Sequence, residues 1–161
     1  MIPNPAGQLL FGDLLALARA RWIRAMALRL DALGFDDYRR SDALVLRGLR
    51  RGEVPLGSLS ATLGLTRQGA RKVVSGLVER GYAHVVASTE DSRCRFVQLT
   101  PTGRVYAGAV VSTLRALHDE VVAGVDADDL AGAYSVLEFV KGGFGVRSTP
   151  RMFDVATNRE S

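Results

Sequence analysis

Apolar residues at 10, 11, 14, 15, 18, 22, 25, 26, 30 and 33 recur near the helical period and predict one long helix over roughly residues 6–33. Its apolar arc, with Phe11, Trp22, Ile23 and Met26, is wider than a peripheral helix of a small monomer needs, so part of it is expected to meet another chain. Gly34 ends the pattern. Ser41 can then cap a short helix in which Leu44, Val45, Leu46 and Leu49 face inward, and Gly52 stops it. Val54, Pro55 and Leu56 read as a brief extended piece, which the proline confines to a sheet edge or a turn.

From residue 59 the pattern tightens. Leu59, Ala61, Leu63 and Leu65 around Gly64 predict a second short helix closed by a turn, with Gly64 left-handed and Thr66 capping a third helix. That order is a helix-turn-helix. The helix capped by Thr66, about 67–80, buries Ala70, Val73, Val74, Leu77 and Val78, while Arg67, Gln68, Arg71, Lys72 and Ser75 share the opposite face. Gly81 ends it. Residues 82–87 and 95–99 then read as a hairpin whose long polar tip, 88–94, suits a protruding wing. Thr100 caps a further helix with Pro101 at its first position, running to about Gly124. Asp126 caps another, with Asp128 and Asp129 in its first turn, ending near Gly142, Gly143 and Gly145.

The expected architecture is therefore mainly helical with a small β wing, of α+β type: a winged helix-turn-helix with one helix before it and two after it. Residues 1–38 form the first helix and its linker, 39–104 the winged helix-turn-helix lobe, 105–146 the C-terminal helices and 147–161 a tail of little pattern. At 161 residues all of this is expected to make one structural unit.

Charge sharpens the reading. The net charge is +4, but residues 39–104 hold twelve Arg or Lys against five acids, which is +7, leaving −3 elsewhere. A basic middle against a net acidic remainder is what a nucleic-acid footprint on a folded body would look like, because phosphate neutralisation supplies much of the affinity. The longest uncharged stretch in the helical regions, 105–114, is far short of the roughly 20 apolar residues of a membrane span, and no basic residue before Arg19 makes a signal-peptide start. A cytoplasmic protein with no membrane partner is expected. One cysteine and two histidines cannot build a disulfide framework or a His/Cys metal cluster, so no metal and no cofactor is expected. Nor does any nucleophile come with a base and an orienter, and the turn after Lys141 lacks a phosphate-loop pattern, so an enzyme is not expected.

The candidate chemistry sits in two basic clusters. Arginine can bond a guanine edge bidentately, glutamine an adenine edge, and serine or threonine a phosphate. Arg67, Gln68, Arg71 and Lys72 occupy the turns that enter a major groove, and Ser58, Ser60, Thr66 and Ser75 join them as candidate contacts. On the hairpin tip, Asp91, Ser92, Arg93 and Arg95 bring together an arginine able to enter a narrow minor groove and an aspartate able to hold its guanidinium.

In order and spacing, residues 59–66 (LSATLGLT), 67–81 (RQGARKVVSGLVERG), 91–95 (DSRCR) and 97–103 (VQLTPTG) resemble the MarR family of bacterial transcriptional regulators, over about residues 9–142. The resemblance implies a homodimer with N- and C-terminal dimerisation helices, in 1–38 and 105–146, whose DNA-binding lobes, 39–104, read adjacent major grooves of a pseudo-palindromic operator in double-stranded DNA, with Asp91 orienting the wing and Arg93 in the minor groove. It also implies a repressor released by a small aromatic or phenolic acid, with Trp22, Met26, Tyr38, Tyr106 and His118 as candidate effector contacts by position. Two alternatives stand beside it. One is control by oxidation of Cys94, or by no ligand at all, and the other is a winged helix used for protein contacts.

Overall fold

The computed structural model describes residues 9–88 and 94–143; the N-terminal residues 1–8, the hairpin tip 89–93 and the tail from 144 lie outside it. Its elements are α1 (Phe11–Asp31), α2 (Asp42–Leu49), β1 (Val54–Pro55), α3 (Leu59–Leu63), α4 (Arg67–Glu79), β2 (Ala83–Ala87), β3 (Arg95–Leu99), α5 (Pro101–Gly124) and α6 (Ala127–Lys141). The described residues divide into two compact units, the first ending at Leu117 and the second beginning at His118, so the boundary falls within α5. No described helix is long and apolar enough to cross a membrane.

The long first helix is shorter than its periodicity predicts. It begins at Phe11, after an extended Leu10 whose N–H donates to the Asp13 carboxylate at 3.0 Å. At its other end Gly34 takes a left-handed φ of +87°, and the Phe35 N–H reaches back to the Leu30 carbonyl at 2.9 Å. That is a glycine-terminated helix end, and it turns Phe35 back onto the core.

The second helix also departs from expectation. Ser41 stands at the N-cap position of α2, but its side chain makes no capping bond. Leu44 is 39% exposed, and the inward positions are Asp42, Val45, Leu46 and Leu49. An acid therefore opens the buried i, i+3, i+4, i+7 stripe.

The helix-turn-helix forms as its residues dictate. Gly64 closes α3 at φ +62°, a conformation that costs a Cβ-bearing residue about 1 kcal/mol or more. Thr66 is extended and its Oγ1 accepts the Gly69 N–H at 3.0 Å, capping α4. From α4 the core takes Ala70, Val74 and Leu77, while Val73 is half-buried and Val78, expected inside, is 40% exposed. Val78 lies beside Ser75 and Glu79, at the rim of the buried arc and not at its centre.

Three antiparallel strands in the order β1-β3-β2 make the sheet. Ala83 pairs with Leu99 and Ala87 with Arg95, and Pro55 sits on the edge strand opposite Phe96. Tyr82, expected in the strand, precedes it; its side chain is buried and its N–H bonds the Leu77 carbonyl at 2.8 Å. Thr100 caps α5 by accepting the Gly103 N–H at 2.9 Å, and its hydroxyl donates to the Gly81 carbonyl at 2.7 Å. In the second unit Asp126 caps α6 through the Asp128 N–H at 2.9 Å, and no residue of α6 is buried.

Candidate nucleic-acid interface

The recognition face is built by a helix with two unlike sides. Ala70, Val74 and Leu77 anchor α4 in the core, and the helical period then turns Arg67, Gln68, Arg71, Lys72 and Ser75 outward, where all five are exposed. The exposed residues Thr66 and Ser58 precede this face, and Ser60 is half-buried. Thr66 spends its side-chain acceptor on the helix cap, and the Ser58 hydroxyl donates to the Pro55 carbonyl at 2.9 Å. In α4 itself, by contrast, the guanidiniums of Arg67 and Arg71 and the carboxamide of Gln68 extend from the first two turns with that cap beneath them. The geometry offers base-edge donors on a rigid support.

Of the hairpin candidates, Asp91, Ser92 and Arg93 lie outside the described residues. Arg95 opens β3 and is exposed, opposite Ala87, and Cys94 is exposed beside it. The two arms close on a bond of 2.8 Å from the Ser88 N–H to the Cys94 carbonyl.

At the far end of α4 lies a polar cluster that the spacing of residues did not reveal. Asp42, fully buried, accepts Arg80 Nη1 at 2.8 Å on one oxygen and Nη2 at 2.9 Å on the other. The Tyr106 hydroxyl at 2.8 Å and the Arg39 N–H at 3.1 Å complete its shell. Arg80 also donates Nε to the Gly76 carbonyl at 2.7 Å and Nη1 to the Asp37 carbonyl at 2.9 Å, and the Tyr82 hydroxyl donates to Asp37 Oδ1 at 2.9 Å. Tyr82 and Tyr106 stack with centroids 4.2 Å apart, and Phe35 packs on Tyr106 at 5.0 Å. Among the described residues no buried side-chain polar atom is left without a partner. Burial opposes the charge on Arg80, but the hydrogen bonds and field of Asp42 more than offset it, and its pKa rises. Burial first, then the bond to Asp42, pushes the Tyr106 hydroxyl well above the usual tyrosine range. A sequence signal existed: Asp42 opens the apolar stripe of α2, and Arg80 lies three residues past Leu77 on the buried face of α4.

Four of the effector candidates fall in the first unit and one in the second. Met26 and Tyr106 are fully buried in the core, and Trp22 and Tyr38 pack half-buried against it. Burial, then the Asp42 charge, raises the Tyr38 pKa. His118 belongs to the second unit, where the Tyr134 hydroxyl stands 3.5 Å from its Nδ1. In the first unit an open cavity of about 520 Å³ is lined by Arg19, Arg39, Arg40 and Lys72 over an apolar floor of Leu44, Leu65 and Val73. Trp22 stands one turn beyond Arg19 on α1, and Tyr38 directly precedes Arg39. Among the described residues no group of three His, Cys, Asp or Glu is placed to hold a metal ion.

No protein-family model matches the chain, and no curated protein is similar to it. Solved structures do match. The chain is similar to mutant MarR from E. coli complexed with operator DNA at 21% identity and TM-score 0.66, covering 80% of this chain and 91% of that one. It is similar to MepR from S. aureus in a DNA complex at 12% identity and TM-score 0.72, covering 84% and 98%. It is similar also to the PcaV transcriptional regulator from Streptomyces coelicolor with its natural ligand, at 19% identity and TM-score 0.64, covering 85% and 98%. With its mostly helical chain, its helix-turn-helix and its three-stranded antiparallel sheet in the same arrangement, the protein has the MarR-type winged-helix fold.

Proposed function

We propose that the protein is a dimeric, sequence-specific DNA-binding transcriptional regulator, with α4 as the helix that enters the major groove. The observation that carries this is the unbroken exposed row of Arg67, Gln68, Arg71, Lys72 and Ser75 on a helix whose other face is core. Two DNA complexes among the similar structures support it. In this reading Arg93 serves the minor groove from the hairpin tip, with Asp91 orienting it.

Dimerisation is supported by apolar surface that each unit leaves exposed. In the first unit it includes Leu10, Phe11, Leu14 and Leu17 at the start of α1, and in the second Val121, Val122, Val136, Leu137 and Phe139. Such surface on a small chain marks an interface. The protein acts as a repressor that a small aromatic or phenolic acid releases, and the cavity over Arg19, Arg39, Arg40 and Lys72 has the cations to hold a carboxylate beside the recognition helix.

Selection of duplexes from a random pool by the purified chain, followed by fluorescence anisotropy on the winner, tests the reading. An enriched inverted repeat, bound with an affinity that falls steeply with salt, is expected. No enrichment and no salt-dependent binding would leave a winged helix used for protein contacts.

A further inference from the structure

The Asp42 cluster has no place in base recognition as such, yet it ties the end of the recognition helix to α2, to α5 and to the linker before α2. The Arg39 N–H comes from the linker between α1 and α2, Arg80 from the C-terminal cap of α4, Tyr106 from the second turn of α5, and Asp42 itself opens α2. Four segments converge on one carboxylate.

Burying a carboxylate and a guanidinium together is costly, and an apolar replacement of similar volume is often no less stable. What such a pair supplies is direction: a bidentate fork fixes both the distance and the plane of the two groups. Arg80 uses Nε, Nη1 and Nη2 at once, so its guanidinium is tied to its own helix at Gly76 as well as to Asp42 and the Asp37 carbonyl. The last turn of α4 cannot roll without breaking several charge-assisted bonds.

We infer that Asp42 is a positioning residue for DNA recognition: by holding Arg80 and Tyr106 on one carboxylate, it sets the angle between the recognition helix α4 and the long helix α5. The lever is long. Arg80 and Arg67 are thirteen residues apart, about 20 Å at the helical rise of about 1.5 Å per residue. A tilt of about 10° at the pinned end therefore moves the first turn by roughly 3 Å, enough to lose a base-edge hydrogen bond that tolerates only a few tenths of an ångström. Phosphate contacts, which depend on charge more than on angle, survive such a tilt.

The inference rests on the DNA-binding reading, and its test separates the two. Asp42→Asn keeps the side-chain size but removes the charge, and Tyr106→Phe keeps the stack on Tyr82 but removes one donor. Each variant is assayed below its melting temperature on the duplex selected by the wild-type chain and on a scrambled duplex of the same length. Binding to the selected duplex is expected to weaken by about tenfold or more, the size of a lost base contact, with scrambled-duplex affinity and salt slope unchanged. Tyr106→Phe is expected to add nothing once Asp42 is Asn. Nitroxide labels at Gln68→Cys and Ser112→Cys, in a Cys94→Ser chain diluted with unlabelled chain, report the α4–α5 distance without DNA. Its distribution is expected to shift or broaden in both variants. If both duplexes weaken equally, or the label distances stay fixed while only the melting temperature drops, Asp42 is structural and the inference fails. If Asp42→Asn does not fold, Tyr106→Phe decides by the same readings. If the wild-type chain binds no duplex, the DNA-binding reading fails, and the label distances alone uphold or overturn the positioning role.

Discussion

Gly103, in the first turn of α5, lies so close to the backbone of Tyr82 that a Cβ on it would overlap the Tyr82 carbonyl oxygen and stand 2.7 Å from the carbonyl carbon. Backbone meets backbone there, and neither can yield alone. The contact joins the start of α5 to the entry of the hairpin, with Thr100 bridging the same two segments.

Gly103→Ala should therefore destabilise the protein by about 1–3 kcal/mol or more, the cost of forcing a methyl into a packed site. Gly76→Ala is the matched control, since its Cβ would meet only the end of the flexible Arg39 side chain at 2.8 Å. Urea unfolding of the two variants checks this, and equal losses would remove the backbone contact as the cause.

Thr66→Ala removes the hydroxyl that accepts the Gly69 N–H at 3.0 Å. A loss of about 0.5–2 kcal/mol of stability is expected for a helix N-cap. Thr66→Ser, which keeps the acceptor, should recover most of it in the same unfolding measurement.

Arg71→Ala tests base reading. If the exposed Arg71 guanidinium meets a base edge, specific binding falls by about 1–3 kcal/mol and preference at one position relaxes. Binding curves on the selected duplex and its single-position variants decide it. Uniform weakening across all of them would assign Arg71 to phosphate.

The tyrosines predict an alkaline limit to stability. Burial, then the hydrogen bond to Asp37, pushes the Tyr82 hydroxyl up to about 12, and Tyr106 moves in the same direction. Both keep their protons in the folded state where unfolded tyrosine, with a pKa of about 10, has begun to ionise. The folded state then binds more protons, so this stabilisation is complete below about pH 10 and is lost as pH rises through about 12. Chemical denaturation across that range should show the midpoint falling above about pH 10, and Tyr82→Phe should flatten the fall. An unchanged slope in that variant would assign the limit to other groups.

The helix-turn-helix and hairpin were legible in the sequence because each rests on local chemistry: Gly64 for the turn, Thr66 and Thr100 for the caps, and two short runs with apolar residues either side of a polar tip for the paired strands. The outward face of α4 was legible for the same reason, since one period assigns both of its sides. The Asp42 cluster was legible only in part: the place of Asp42 in the apolar stripe of α2 marks a buried charge, but its partners lie 38 and 64 residues away and no local pattern pairs them with it. Leu44 and Val78 were misplaced by a single rim position, which periodicity alone cannot separate from the core. Position along the helices could not assemble the effector residues into a pocket, because a pocket is a property of how elements meet.

The base of the hairpin is closed twice over, by the Thr100 N–H on the Tyr82 carbonyl at 3.1 Å and by the Thr100 hydroxyl on the Gly81 carbonyl at 2.7 Å. These bonds, and the one from the Ser88 N–H to the Cys94 carbonyl, are all made by residues on the arms and at the foot of the hairpin. A segment of another length or sequence can thus be joined between the two arms while the foot of the hairpin stays closed.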